Sequence, residues 1–220
     1  MGPISDRLPM TEKDYNVLKK VSLKQNYPLK DLMTVYALES NSGFQEGTKD
    51  STFKGPFQFD DATALEFKLD DVWDLKKSAE AHIRLVDRRT KSVKNILQNN
   101  NVSSDLLDSL DSSTFNYLLH NQGAWGTARL EIGAKKGVYK GRASEKMLSN
   151  LTTEQQEYFK DPKVSISEAT KYFLKSIDAN LSSTRSTLRT QHQRFEMPPM
   201  KRAVFDSAAV DTFLTKDQYK

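Results

Sequence analysis

Glu39 closes an apolar helical run, Tyr36-Ala37-Leu38-Glu39-Ser40. A helix C-terminus opposes negative charge, and apolar neighbours strip water from a carboxylate. Both effects raise a carboxyl pKa, which suits a general acid working near neutral pH. An ordinary solvated Glu satisfies the same local sequence. A second candidate is Lys54-Gly55-Pro56-Phe57-Gln58-Phe59. Its glycine lets backbone approach a ligand closely, and Gln58 offers a donor and an acceptor between two aromatic rings. That chemistry fits a sugar, with hydroxyls and amides at its edge and C–H groups on its faces; a core-packing turn reads the same way. A third is Leu119-His120-Asn121-Gln122-Gly123-Ala124-Trp125-Gly126, an amide before a glycine with a Trp following. Its plain alternative is a helix C-cap. A fourth is Glu168-Ala169-Thr170-Lys171-Tyr172-Phe173, where Tyr172 is either a site phenol or a core aromatic at helical spacing. His82, His120 and His192 have no zinc spacing, and Asp60-Asp61 and Asp70-Asp71 read first as helix N-terminal or solvated charge.

The elements that must position these residues are helical. Thr11 is a predicted N-cap for a helix carrying Tyr15, Leu18 and Val21, which breaks at Asn26-Tyr27-Pro28. Leu29, Leu32, Met33 and Tyr36 follow helical spacing up to Glu39, and residues 41–56 read as a loop. Val72, Leu75, Ala79, Ile83 and Val86 predict one face of a longer helix. Ser113 is a predicted cap for a helix burying Phe115, Leu118 and Leu119. Five of the nine glycines fall from Gly123 to Gly141, which predicts a loop-rich region. Residues 153–160 and 167–181 read as helices, and the pattern fades after Phe195.

The chain has 220 residues, with 37% hydrophobic and 28% charged. Its 2 Trp, 8 Tyr and 11 Phe suffice for a core, which argues against wholesale disorder. Lys and Arg total 33 against 29 Asp and Glu, a net charge of +4, too weak a bias to indicate nucleic acid. The absence of Cys excludes disulfide scaffolds, thiolate zinc sites and cysteine nucleophiles. No apolar run reaches membrane-spanning length, and the N-terminus lacks the apolar core of a secretory signal. The expected organisation is a mostly α fold: an N-terminal extension over residues 1–10, one helical domain over 11–195, and a tail over 196–220.

Taken in order, Glu39-Ser40, Gly55-Pro56-Phe57-Gln58, Leu119-His120-Asn121-Gln122-Gly123 and Glu168-Ala169-Thr170-Lys171-Tyr172 resemble four blocks of the soluble lytic transglycosylase catalytic domain, within the lysozyme-like superfamily. That family shows E-S, G-L-M-Q, A-x-N-x-G and E-T-x-x-Y in this sequence order. Residues 74–85 resemble its N-I-x-A-G-x-x-Y-L-R-x-L helix, so the likeness runs over about residues 15–185. Departures are Pro56-Phe57 for Leu-Met, Leu119-His120 for Ala-Tyr, and Ala169 for Thr.

The resemblance implies a lysozyme-like (goose-type) helical domain with a glycan-binding groove. It implies cleavage of the β-1,4 bond between N-acetylmuramic acid and N-acetylglucosamine in peptidoglycan, closing a 1,6-anhydro ring. Glu39 would be acid and then base, with no metal and no cofactor. Ser40 belongs to the first block; Thr48 and Ser51 are the candidates for a substrate-contacting loop hydroxyl. Gln58, Asn121 and Tyr172 are expected to position substrate, and Phe57, Phe59 and Trp125 to offer apolar faces to sugar rings. A hydrolytic muramidase would need a second carboxylate from Asp50, Asp60 or Asp61. A non-catalytic assembly protein on the same fold, bound through its C-terminal tail to virion or secretion-apparatus proteins, is the alternative from another class. The missing signal suggests synthesis in a bacterial cytoplasm, and a phage protein acting at the cell wall would fit.

Overall fold

The computed structural model describes residues 10–41, 43, 45–137, 152–161 and 163–198. Most of the expected N-terminal extension, the tail from 199 onward and residues 138–151, with Gly141, lie outside the described residues.

Helix α1 (Glu12–Gln25) starts where Thr11 accepts a hydrogen bond from the Asp14 amide at 3.1 Å, as the cap pattern predicts. It ends at Asn26 in the left-handed conformation. Helix α2 (Leu29–Ser40) begins after Pro28 and is buried on nearly every side from Asp31 to Leu38. A helix buried on nearly every side belongs in the centre of a fold, and α2 sits there, packed against α1 and two later helices. The loop after it leads to the short α3 (Asp61–Glu66), capped by Asp60. Helix α4 (Leu75–Asn99) is capped by the Asp74 carboxylate on the Lys77 amide. It starts three residues later than the apolar spacing from Val72 suggests, because the Val72 carbonyl instead accepts the Ser78 hydroxyl at 2.9 Å. Helix α5 (Asp105–Asp108) is a single turn whose Leu106 and Leu107 amides donate to the buried Glu131 carboxylate.

Helix α6 (Ser112–Lys136) is capped by Asp111, not by Ser113, whose amide and hydroxyl both donate to that carboxylate. As far as Lys136 it overturns the glycine-based expectation of a loop from Gly123 to Gly141; from residue 138 that stretch lies outside the described residues. The helix runs on through Gly126 and Gly133, interrupted by a kink at Gly123. Helices α7 (Thr153–Lys160) and α8 (Ile166–Glu196) each open with a capping box, Thr152 with Gln155 and Ser165 with Glu168. The described residues contain no strand, only an isolated antiparallel bridge between Lys54 and Phe59. They are thus mostly helical, as the periodicity predicts.

Helix α6 is the hub, packed on α4, α8 and α2. The apolar residues of α1, α2, α4, α6 and α8 merge into one core with Phe57 and Phe59 from the loop. Met10 is buried in the core, and its amide donates to the Gln191 side chain. Glu196 still belongs to α8 and holds Lys19 of α1 in an ion pair.

Candidate functional site

The loop from Asn41 to Asp60 is fixed by a small turn. Lys54 and Phe59 exchange two backbone hydrogen bonds of 3.0 Å, and the Gln58 amide donates to the Gly55 carbonyl inside them. Gly55 is required because a Cβ there would stand 1.8 Å from the Val72 carbonyl oxygen. Gln58 takes a positive φ of 49° and its carboxamide nitrogen donates to the Gly55 carbonyl at 2.8 Å. The turn sends Phe57 into the core and leaves Gln58 at the surface of a cavity of about 360 Å³.

That cavity lies between the end of α2, this turn, the start of α3, α4 and the kink of α6. Glu39 reaches it from the last turn of α2, with its side chain only 7% exposed. Facing it is His120 of α6, whose Nε2 stands 4.0 Å from Glu39 Oε2. His120 Nδ1 meets His82 Nδ1 of α4 at 3.3 Å. The Phe57 ring stacks on His82, and Phe59 meets His120 edge-on. Burial holds the His82 pKa well below the ordinary imidazole value, with His120 and Arg89 adding to the effect.

The kink in α6 has a local cause. Gly123 sits at φ 67°, ψ 178°, a conformation open essentially to glycine alone. A helix broken there leaves carbonyls of its last turn without intrahelical donors. Arg89 of α4 supplies them: its Nη1 donates to the Leu119 carbonyl at 2.8 Å and the His120 carbonyl at 3.0 Å. The second half restarts with the Thr127 hydroxyl donating to the Gly123 carbonyl. This break turns Asn121, Gln122 and Gly123 toward the cavity, where the Gln122 side chain donates to Asn121 Oδ1. Burial lowers the Arg89 pKa from its usual value.

The structure therefore brings Glu39, Gln58, Phe59 and Asn121 to one cavity. The other site residues expected from sequence stand elsewhere. Ser40 is fully buried; its hydroxyl donates to the Tyr36 carbonyl and accepts the Gly43 amide, so it braces the chain turning out of α2. Thr48 and Ser51 hydrogen-bond to each other in the loop. Phe57 has no exposed face to offer a sugar, since Tyr36 and His82 cover it. Trp125 is 60% exposed but does not line the cavity; Arg129 lies over its ring. Tyr172 packs on Tyr158 of α7, with ring centroids 4.3 Å apart, and is not among the cavity residues. Of the three acids named for a hydrolytic reading, only Asp60 lines the cavity, where its carboxylate also caps α3 at the Thr63 amide. Asp61 points out to Lys54, and Asp50 is exposed.

Sequence reasoning missed His120, Arg89 and Phe53 as cavity residues. His82 and Arg89 do carry a signal. They lie with Leu85 and Val86 at i, i+3, i+4 and i+7, so two polar side chains occupy the buried stripe of α4. Phe53 had none, being an aromatic in a loop; it is 47% exposed at the cavity edge. Among the described residues no group of three or more His, Asp and Glu is placed to hold a metal ion. No helix among them is long and apolar enough to cross a membrane.

No protein-family model matches the sequence, and no curated protein or solved structure matches it significantly. The functional reading therefore stands on the residues of this cavity and on the four sequence blocks.

Proposed function

We propose that the chain is a peptidoglycan lytic transglycosylase, with Glu39 as its acid and base. The observation that carries this reading is one buried carboxyl sharing a cavity with the carboxamides of Gln58 and Asn121. The neutral acid is the form needed to protonate a glycosidic oxygen. As that proton transfers, the bond to the muramoyl anomeric carbon breaks with oxocarbenium character. The sugar's 2-acetamido carbonyl stabilises the cation, as in substrate-assisted glycosidases. Glu39, now a carboxylate, removes the proton from the C6 hydroxyl of the same sugar. That oxygen attacks the anomeric carbon and closes the 1,6-anhydro ring, so no water is consumed and Glu39 is again neutral. The attack is intramolecular, and holding the hydroxyl in line supplies a large effective concentration. Gln58 and Asn121 grip acetamido and hydroxyl groups, and the exposed Phe53 ring offers a sugar an apolar face at the rim.

One specific observation favours a second reading. Asp60 lines the same cavity, and a carboxylate able to activate water there would make the enzyme a hydrolytic muramidase. Mass spectrometry of the muropeptides released from purified peptidoglycan separates the two, because hydrolytic ends are heavier by one water. Anhydro ends from the wild type, their loss in Glu39→Gln and their retention in Asp60→Asn are expected. Reducing ends that vanish in Asp60→Asn would establish the muramidase. Full activity of Glu39→Gln would remove both.

A further inference from the structure

The two imidazoles behind Glu39 form a connected pair that the reaction above does not use. His82 is fully buried, its Nε2 has no hydrogen-bond partner among the described residues, and its Nδ1 faces His120 Nδ1 at 3.3 Å. Two ring nitrogens facing each other at that distance share one proton: one is N–H and the other a bare lone pair. A proton on His82 Nε2 would be a buried donor with no acceptor, and such orphaned N–H groups are rare in folded proteins. On His82 Nδ1 the same proton has an acceptor in His120. His120 Nδ1 is then bare, and its own proton is left on Nε2, the atom 4.0 Å from Glu39 Oε2.

We propose that His82 is a positioning residue that locks His120 as the neutral Nε2–H tautomer, so that His120 presents a fixed, uncharged donor to Glu39. The proposal deepens the acid–base reading of Glu39 and rests on it for its functional half. Protonating His120 would put a second N–H against that of His82, or drive the His82 proton onto its orphaned nitrogen. The charged groups around the pair are Arg89 of α4, which opposes a further positive charge, and Glu39 of α2 and Asp60 at the cap of α3, which favour it. Desolvation adds to the opposition at His82. The packing enforces the geometry: Phe57 holds the His82 ring from one side, and Phe59 meets the edge of His120. A neutral donor suits a group that must alternate between acid and carboxylate. Its N–H, 4.0 Å from Glu39 Oε2, favours the anion formed after proton transfer without the full charge of an imidazolium, which would hold Glu39 ionised from the start.

The chain has only three histidines, so the test is direct. Long-range 15N–1H correlation on the full chain labelled with 15N-histidine reports which ring nitrogens carry protons. His82→Phe and His120→Gln variants assign the signals. Between pH 5 and 8 the expected result is Nδ1–H with bare Nε2 for His82, Nε2–H with bare Nδ1 for His120, and titration of neither. An Nδ1–H tautomer or an imidazolium at His120 within that range overturns the lock. The tautomers are read on the unaltered chain, and the variants serve only to assign the signals. In His82→Phe, checked by circular dichroism, His120 should titrate, and the alkaline limb of peptidoglycan cleavage should move at least one pH unit toward acid. An unmoved limb overturns the functional half. His120→Gln keeps a side-chain N–H and should cleave several-fold faster than His120→Phe, which presents no dipole to the Glu39 carboxylate. Equal rates for the two also overturn it. If Glu39→Gln is inactive while His120 titrates in the wild type, the lock fails alone. If the tautomers are as stated but Glu39→Gln cleaves normally, the acid–base reading fails and the lock survives as structure.

Discussion

Replacing Gly123 with alanine tests whether the α6 kink is built in or merely tolerated. At φ 67°, ψ 178° a side chain strains the backbone by about 1–3 kcal/mol. A Cβ at this position would meet no atom within 4 Å, so strain is the whole cost and nothing is added by a clash. The chain could escape by straightening, since alanine gains about 1 kcal/mol over glycine inside a helix. Straightening would take the Leu119 and His120 carbonyls away from Arg89, and hydrogen bonds to a charged group are worth about 1.5–3 kcal/mol each. The kink therefore persists, and Gly123→Ala should lose about 2 kcal/mol, a fall in Tm of about 4–8 °C for a chain of this size. Urea denaturation of the variant beside wild type measures the loss directly. Gly137→Ala serves as a reference: its φ of 64° is also positive and also open, but it lies at the end of α6 in the milder left-handed region, where about 1 kcal/mol is expected. A Gly123→Ala protein as stable as wild type, or more so, would refute the argument that glycine and Arg89 together fix this geometry.

Asp31 gives a pH prediction. Burial raises its pKa to about 6 against the lowering effect of the Ser112 and Asn116 hydrogen bonds. A carboxyl whose native pKa lies above its unfolded value stabilises the fold below the unfolded pKa, and that contribution is lost as pH rises through 6. Relative to wild type, Asp31→Asn should therefore gain about 2–3 kcal/mol of stability between pH 4 and pH 7.5 by urea denaturation; a flat difference would place the carboxyl elsewhere. Arg89→Met keeps the aliphatic stem but leaves the kink carbonyls without their donor. A loss of about 3 kcal/mol and slower peptidoglycan cleavage are expected, and unchanged thermal stability would count against the bracing role. Gly55→Ala forces a methyl into the Val72 carbonyl, so it should cost more than about 3 kcal/mol in denaturation or prevent soluble folding; a normal melting curve would contradict the close approach.

The helices were legible wherever one physical signal dominated. Thr11 and the stripe through Tyr15, Leu18 and Val21 mark α1 because a cap and a period coincide. Glycine misled at α6. Gly126 and Gly133 sit inside a helix that tertiary packing enforces, and the single glycine that does break it does so at a residue the sequence cannot distinguish from its neighbours. At the site, Glu39, Gln58 and Asn121 are readable because each ends or turns an element, where side chains meet solvent. His120 was not, because its role arises between α4 and α6, and no local pattern reports a contact between distant helices; Arg89 shows only as a polar residue on the buried stripe of α4. Phe57 and Tyr172 stand apart from the cavity: Phe57, expected to offer a sugar a face, packs in the core, and Tyr172, expected to position substrate, packs on Tyr158 of α7.

The junction of α1 with the end of α8 bears on how the molecule assembles. Tyr15 is buried, its hydroxyl contacts both His192 and Glu196, and its ring lies 4.8 Å from that of Phe195. During synthesis α1 leaves the ribosome well before α8, so the side chains that cover Tyr15 follow only after the intervening helices. Helix α1 packs chiefly on α2 and α4, so only the covering of Tyr15 by α8 has to close so long a span and comes late. Until α8 arrives, a half-made chain leaves the Tyr15 end of the buried face of α1 uncovered, and exposed apolar surface of that kind is what chaperones and proteases act on.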